Sequence, residues 1–320
     1  MKRVYAVVSV CCFSVISGIA GAVHAEEAAP GPWQVAVNSN LTLTTNMYSD
    51  NWTGGEFSTL SWIAAADFRL QRQITSSLHN RNTLKLAFGQ TAVQEEDSSG
   101  ERSWNSPEKS SDLVDLESMF RFTLQAFVDP FAAARAVTQF WDAGQEDNDR
   151  YLNPLEITES AGAVRELVQQ SRTTWNVRLG AAARQIIDRH TRTVAEGTGR
   201  TTYEDEFTYD GGVELVSELV TANKDEWITF ESLLRVYEAV VSSENEEESS
   251  EEDGIADWRY PDINWENTLT VNLTKYIMFN LYVQTLYDRE IDRDPRFKET
   301  LALGLSWTFR NYEPPEGEDE

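Results

Sequence analysis

The chain has 320 residues, with 53 acidic against 27 basic side chains and a net charge of −26 at neutral pH. That balance excludes nucleic acid as a partner, because phosphate binding needs the opposite sign. It also disfavours adhesion to anionic surfaces unless divalent cations intervene.

Lys2 and Arg3 precede an apolar run from Val4 to about Val23, and Ala22-Val23-His24-Ala25 follows as a small-residue cleavage site. Residues 1–25 therefore read as a secretory signal peptide. The run is rich in Gly, Ser and Ala and short for a bilayer, which weighs against a transmembrane anchor. Cleavage after Ala25 removes Cys11 and Cys12 and two basic residues, leaving 27 − 2 = 25 basic against 53 acidic, or −28. An exported chain without disulfides needs another source of stability. Full strand pairing in a closed barrel supplies one.

Residues 26–32 form a short Pro- and Ala-rich leader. From Trp33 the side chains alternate with period two, as on a pleated strand. Trp33, Val35, Val37, Leu41 and Leu43 oppose Gln34, Ala36, Asn38, Asn40 and Thr42. Leu60–Leu70 and Thr83–Gln90 continue the pattern, and the polar stretch Ala92–Asp112 reads as a long loop. Asp115–Ala126 follows, Asp129-Pro130 turns the chain, and Ala132–Trp141 and Leu155–Val168 are weaker strands. Leu155–Val168, with Glu156, Glu159 and Glu166, is also compatible with a short amphipathic helix; strand is the preferred reading. Trp175–Ile187, Phe207–Thr221, Trp227–Val240, Ile263–Leu273 and Ile277–Asp288 lead to the closing strand Phe297–Phe309. There Phe297, Leu301, Leu303, Leu305, Trp307 and Phe309 share one face with Glu299, while Lys298, Thr300, Ala302, Gly304, Ser306 and Thr308 share the other.

A large apolar face with aromatics near both ends, backed by a small or polar face, inverts the pattern of a water-soluble barrel. It fits an antiparallel up-and-down transmembrane β-barrel with lipid outside and water inside. About twelve strands are predicted over 33–310, followed by an acidic tail at 311–320. Short connections at Ser76–Asn82, Val128–Phe131, Gln170–Thr173, Asn223–Glu226 and Thr274–Tyr276 alternate with longer ones at Tyr48–Glu56, Ala92–Asp112, Gly144–Asn153, His190–Asp205, Ser242–Trp258 and Arg289–Arg296. Short periplasmic turns and longer outer loops, with both termini inside, are the expected asymmetry. The last strand must pair with the first, because an open edge has no partner in lipid.

Strand phase points Asp67, Arg69, Lys85, Asp115, Glu117, Arg121, Arg135, Arg178, Arg184, Glu214, Glu218, Glu231, Arg235 and Glu266 inward. A base facing lipid near the midplane would cost about 2–4 kcal/mol, so these charges must line the lumen. A two-residue turn at Lys224-Asp225 predicts Leu219 opposite Phe230, Glu214 opposite Arg235, and Glu218 opposite Glu231. Arg178 is then the expected partner of the two like charges, with Arg184 near Glu214–Arg235.

Asn51-Trp52-Thr53-Gly54-Gly55 and the strand that follows resemble a signature of a family of Gram-negative barrel proteins catalogued only as a domain of unknown function. Asn153-Pro154-Leu155 with Glu159-Ser160-Ala161-Gly162 is similar to a second block of that family. The resemblance implies an outer-membrane location and no known catalytic residues. The chain departs from the usual barrel ending, since Arg310–Glu320 follows the terminal aromatic Phe309.

No catalytic constellation, cofactor site or dedicated metal site stands out. His79 falls in a predicted turn, and His190 beside Asp188 at a strand end reads as a solvated rim histidine rather than a water-activating pair. The acidic run Ser242–Asp253 lacks the spacing of a calcium loop and reads as a self-repelling outer loop, with loose divalent cations as the alternative. The expected partners are outer-membrane lipid, lipopolysaccharide and the barrel-assembly machinery, with the chain itself a monomer. The leading functional reading is a narrow passive channel for small solutes. A non-conducting barrel for surface interaction or envelope structure is the alternative, and a rim-site hydrolase the third.

Overall fold

The computed structural model describes residues 30–49, 56–96, 101–124, 126–142, 150–194, 201–243 and 256–312. The predicted signal peptide at 1–25, the Asn51–Gly55 element, most of the acidic run, the end of the tail and the side chain of His190 lie outside them.

Twelve antiparallel strands close into one barrel: β1 (Gln34–Asn46), β2 (Thr59–Thr75), β3 (Leu78–Glu96), β4 (Glu108–Phe122), β5 (Asp129–Thr138), β6 (Leu155–Gln169), β7 (Thr173–Val194), β8 (Thr201–Ala222), β9 (Ile228–Ser242), β10 (Asp262–Asn272), β11 (Ile277–Asp288) and β12 (Asp292–Arg310). Each strand pairs with its neighbours in sequence, and β12 returns to β1 with Val37 opposite Phe309 and Leu41 opposite Leu305. The predicted phase holds: Leu41, Leu43, Leu301, Leu303, Leu305, Trp307 and Phe309 are exposed, while Ala36, Thr42 and Ala302 are buried on the other face. Leu155–Gln169 is a strand throughout. An outward face this apolar belongs in lipid, and closure satisfies the backbone there. Two outward indoles satisfy their own N–H groups, Trp175 on Ser217 and Trp265 on Ser232, each at 3.0 Å.

Several connections differ from expectation. Ser76-Ser77 is the whole turn between β2 and β3, so His79 and Arg81, expected in the turn, stand on β3. Asn80 and Asn82 take the outward positions there, which flattens the hydrophobic alternation at the water boundary. β3 and β4 extend into the predicted Ala92–Asp112 loop, where a short strand, Arg102–Trp104, pairs with Gln94–Glu96. Asp129 and Pro130 open β5 rather than forming the turn. The expected long loop at Arg289–Arg296 is tight: Ile291 N–H donates to the Asp288 carbonyl at 3.3 Å and β12 begins at Asp292. The β7–β8 hairpin continues to Val194 and Thr201 within the predicted His190–Asp205 loop.

The β8–β9 hairpin is shifted by two residues, placing Leu219 opposite Ser232 and Val216 opposite Arg235. A two-residue turn of either favoured primed type would need a positive φ at Lys224, and in type I′ at Asp225 as well. Instead Glu226 N–H closes on the Asn223 carbonyl at 3.0 Å, and Glu226 alone is left-handed, with φ 53°. The Asn223 side-chain oxygen accepts from Ile228 N–H at 2.9 Å. An even shift keeps every side chain on its predicted face while changing its opposite neighbour.

Candidate functional site: an ionic cluster across the lumen

The inward carboxylates and guanidiniums meet across the barrel. Glu117 on β4 is the hub, only 3% exposed, and it accepts from both terminal nitrogens of Arg178 on β7, itself 5% exposed. Arg235 on β9 donates to the same carboxylate at 3.2 Å and lies 3.5 Å from Glu214 on β8. Arg81 on β3 reaches Glu218 on β8 at 2.9 Å and Glu117 at 3.8 Å. These six groups carry three positive and three negative charges. Buried charges persist only when paired and hydrogen-bonded; here Glu117 meets Arg178 and Arg235, and Arg81 meets Glu218, across the lumen, while Glu214 pairs with Arg235 on the neighbouring strand. Lys85 on β3 and Glu266 on β10 add a further crossing at 3.7 Å.

Apolar side chains pack beneath the guanidiniums. Val216 is 1% exposed, and Met119, Phe131 and Val164 form a buried cluster. The Arg178 guanidinium lies 5.6 Å from the centre of the Phe131 ring. Phe131 stands opposite Gly162 on β6, which stands opposite Gly180 on β7. A Cβ on Gly162 would fall 2.2 Å from the Leu179 carbonyl oxygen, so the bare glycine lets the two backbones approach beside the ring.

Other predicted lumen charges form wall pairs. Arg135 clamps Asp115 with two bonds of 2.9 and 2.8 Å, and Arg121 holds Asp129 at 2.7 Å as well as Glu166. The expected triad of Arg178, Glu218 and Glu231 is not formed, because Glu117 from across the lumen takes Arg178 and Arg81 takes Glu218. Among the described residues, Glu231, Asp67 and Arg69 make no ion pair. Arg184 is also remote from Glu214–Arg235. It sits at the long-loop end, bound to Asp210 and Asp262, within 3.4 Å of Glu290, and 4.5 Å from the Tyr237 ring centre. Glu214 and Arg235 do share the inward face and do pair.

Below the cluster, toward the short-turn end, lies a cavity of about 470 Å³. Six bases line it (Arg69, Arg81, Lys85, Arg121, Arg178 and Arg235) against the four acids Asp115, Glu166, Glu218 and Glu231. His79 also lines it. At the opposite mouth, a short 3-10 turn, Asp257–Arg259, folds inward, and Trp258 with Ala256 packs on Ala182, Tyr237 and Ala239. Arg289 fastens the turn to Asp257 at 3.3 Å. By contrast, the inward residues of β1 and β12 carry no charge between Lys298 and Arg310, and all are small or medium polar groups, alanine or glycine.

Asp188, once a candidate partner for His190, is engaged elsewhere. It accepts from Arg150 at 2.8 Å and from the Asn153 side chain at 2.7 Å, in a knot that fixes the Asn153-Pro154 segment to β7. Sequence reasoning missed Arg81, Phe131 and Trp258. Extending the His79-Arg81-Thr83-Lys85 phase backward finds Arg81. Nothing local marks Phe131 or Trp258 as lumen-filling.

A family model described as a protein of unknown function (DUF3078) matches residues 43–143. Comparison with curated proteins yields no match. Among solved structures, the COG4313 outer membrane channel from Pseudomonas putida F1 is similar at 16% identity and a TM-score of 0.41, over 91% of this chain and 100% of that one. The translocator domain of the autotransporter NalP from Neisseria meningitidis aligns at 9% identity and a TM-score of 0.35, over 87% and 88%. The low-pH structure of OprB from Pseudomonas putida aligns at 8% identity and a TM-score of 0.28, over 88% and 93%. The stretch matched by the family model, 43–143, contains Arg81, Lys85 and Glu117, the β3 and β4 members of the cross-lumen bridges.

Proposed function

We propose that the chain is an outer-membrane barrel acting as a narrow passive channel for small polar solutes. The short turns and both termini lie in the periplasm and the longer loops outside. The observation that carries this reading is the division of the lumen. Bridges from β3 and β4 to β7–β10 occupy one side, while the inward face of β12 and β1 is uncharged, small and polar on the other. A path of this kind excludes large solutes and lacks the charged ring of a strongly selective pore. The two-charge excess of bases in the periplasmic cavity supports a weak preference for anions, despite the acidic exterior.

The same bridges favour the second reading, a barrel stiffened shut for envelope structure. Planar-bilayer recording of the refolded protein separates the two. Small, weakly anion-preferring open steps are expected, and a folded, heat-modifiable barrel that never opens would overturn the channel.

A further inference from the structure

The closing ladder of the barrel is shorter than the two strands it joins. The β1–β12 ladder runs from Ala36↔Arg310 to Thr42↔Gly304 and stops. Both strands continue toward the outer side without each other. β1 stays paired with β2 as far as Asn46↔Thr59, and β12 stays paired with β11 as far as Asp292. Among the described residues, no strand pairing joins 43–49 to 292–303 beyond Thr42↔Gly304.

The height of this gap follows from the outward residues of β12. Phe309, Trp307, Leu305, Leu303 and Leu301 form the apolar belt, and Glu299 ends it. A nine-residue run tilted by about 45° covers the lipid thickness expected of a barrel strand. The seam is therefore paired through the inner leaflet and open from Leu303 upward, through the outermost hydrocarbon into the headgroup layer. Unpaired backbone there needs another hydrogen-bonding partner, because lipid tails provide none. The side chains flanking the gap are Leu43 and Leu303 on the lipid side, with Thr44 and Thr300 on the lumen side. Above them the inward-facing Lys298 is exposed and, among the described residues, has no ion-pair partner, and two residues further on Arg296 has a buried Nε without an acceptor. At the top, Pro295, Asp294 and Arg293 guard the edge as charges and proline do against strand addition, so a second copy of the chain is a poor occupant. Trp258 packs inside the long-loop mouth against Ala182, Tyr237 and Ala239.

We propose that the outer part of the β1–β12 seam is a lateral portal that receives the anionic head of a single-chain amphiphile from the outer leaflet. The tail lies along Leu43, Leu301 and Leu303, and the head turns inward to Lys298. The orientation matches the leaflet, with the head at interface height and the tail below it. This site is independent of conduction: a barrel that never opens axially can still bind at its seam.

The test uses single-cysteine variants with Cys11 and Cys12 replaced by Ser, reconstituted in phosphatidylcholine vesicles. A fluorophore on Leu43→Cys reports at the portal, and one on Val213→Cys reports on the fully paired β7–β9 wall. The probe is 9,10-dibromostearate. Quenching at Leu43→Cys is expected to saturate and to be relieved by unlabelled palmitate but not by a dodecyltrimethylammonium salt, while quenching at Val213→Cys follows bulk partitioning. Lys298→Gln, added to Leu43→Cys, is expected to raise the half-saturating concentration about fivefold, the worth of one charge-assisted contact. Equal, unsaturable quenching at both positions overturns the portal, as does saturation that Lys298→Gln leaves unchanged. Hydrogen exchange supplies a readout without variants. Seam-facing amides of 297–303 should exchange fast while those of 304–310 stay protected, and the added stearate should slow the former. Uniform protection of 297–310 without stearate would show a zipped seam and overturn the proposal. Protection of 297–303 that rises with protein concentration instead of stearate would mean a second copy occupies the edge, and would overturn it too.

Discussion

Glu117→Gln isolates the weight of the ionic cluster. The substitution keeps the shape of the side chain and removes one of three negative charges facing Arg81, Arg178 and Arg235. It leaves a net positive charge in a site where the hub is 3% exposed and Arg178 5% exposed. Glu214 remains 3.5 Å from Arg235 but 4.0 Å from Arg178, so Arg178 keeps only a distant partner. Breaking a buried pair by removing one member costs about 3–5 kcal/mol, because the other charge stays buried. With a urea slope of about 1–3 kcal/mol per molar, the unfolding midpoint should fall by at least about 1 M. Urea titration of the vesicle-reconstituted protein, followed by tryptophan fluorescence, reads this directly. Glu231→Gln is the matched control: it is inward, acidic and makes no ion pair among the described residues, so its change should stay within about 0.5 kcal/mol. A double cycle with Arg178→Gln should give a coupling of at least about 1 kcal/mol. If Glu117→Gln and Glu231→Gln shift the midpoint equally, the cluster does not bind the walls together and the narrowing argument fails with it.

Leu305→Arg, at the centre of the outward belt and 59% exposed, should lower stability by about 2–4 kcal/mol in the same titration, whereas the inward neighbour change Ser306→Ala should do little. Gly162→Ala should be poorly tolerated and cost about 1–3 kcal/mol, since its Cβ would meet backbone at 2.2 Å; Gly31→Ala, with open space around it, should be neutral. Topology is checked by labelling intact cells with an impermeant maleimide: Arg293→Cys at the long-loop end should react, and Lys275→Cys in a short turn should not. In bilayers, Glu117→Gln should move the reversal potential further toward anion preference, and a shift toward cations would show that the cluster does not face the conducting path.

Much of this molecule is legible in the sequence because a barrel strand in lipid obeys a local rule. Each side chain faces either oil or the lumen, and the penalty for the wrong face is paid at that residue alone. Hence Leu41, Leu303 and Trp307 could be assigned outward, and Glu117, Arg178 and Arg235 inward, one strand at a time. The closing of β12 on β1 followed from the same penalty applied to an open edge. The rule loses its signal at the water boundary, where Asn80 and Asn82 replace apolar residues and Arg81 was hidden in a supposed turn. It also carries no information on distance across the lumen. Which base meets Glu117 depends on register, tilt and cross-section, none of which is a property of one strand. The β8–β9 shift of two residues left every face intact yet separated Glu218 from Glu231. Only the tertiary structure decided that Arg178 crosses to β4, that Trp258 packs inside the long-loop mouth, and that the seam stops at Thr42 and Gly304. Each of these is a contact between residues far apart in the chain, set by the closure of the whole ring rather than by any segment of it.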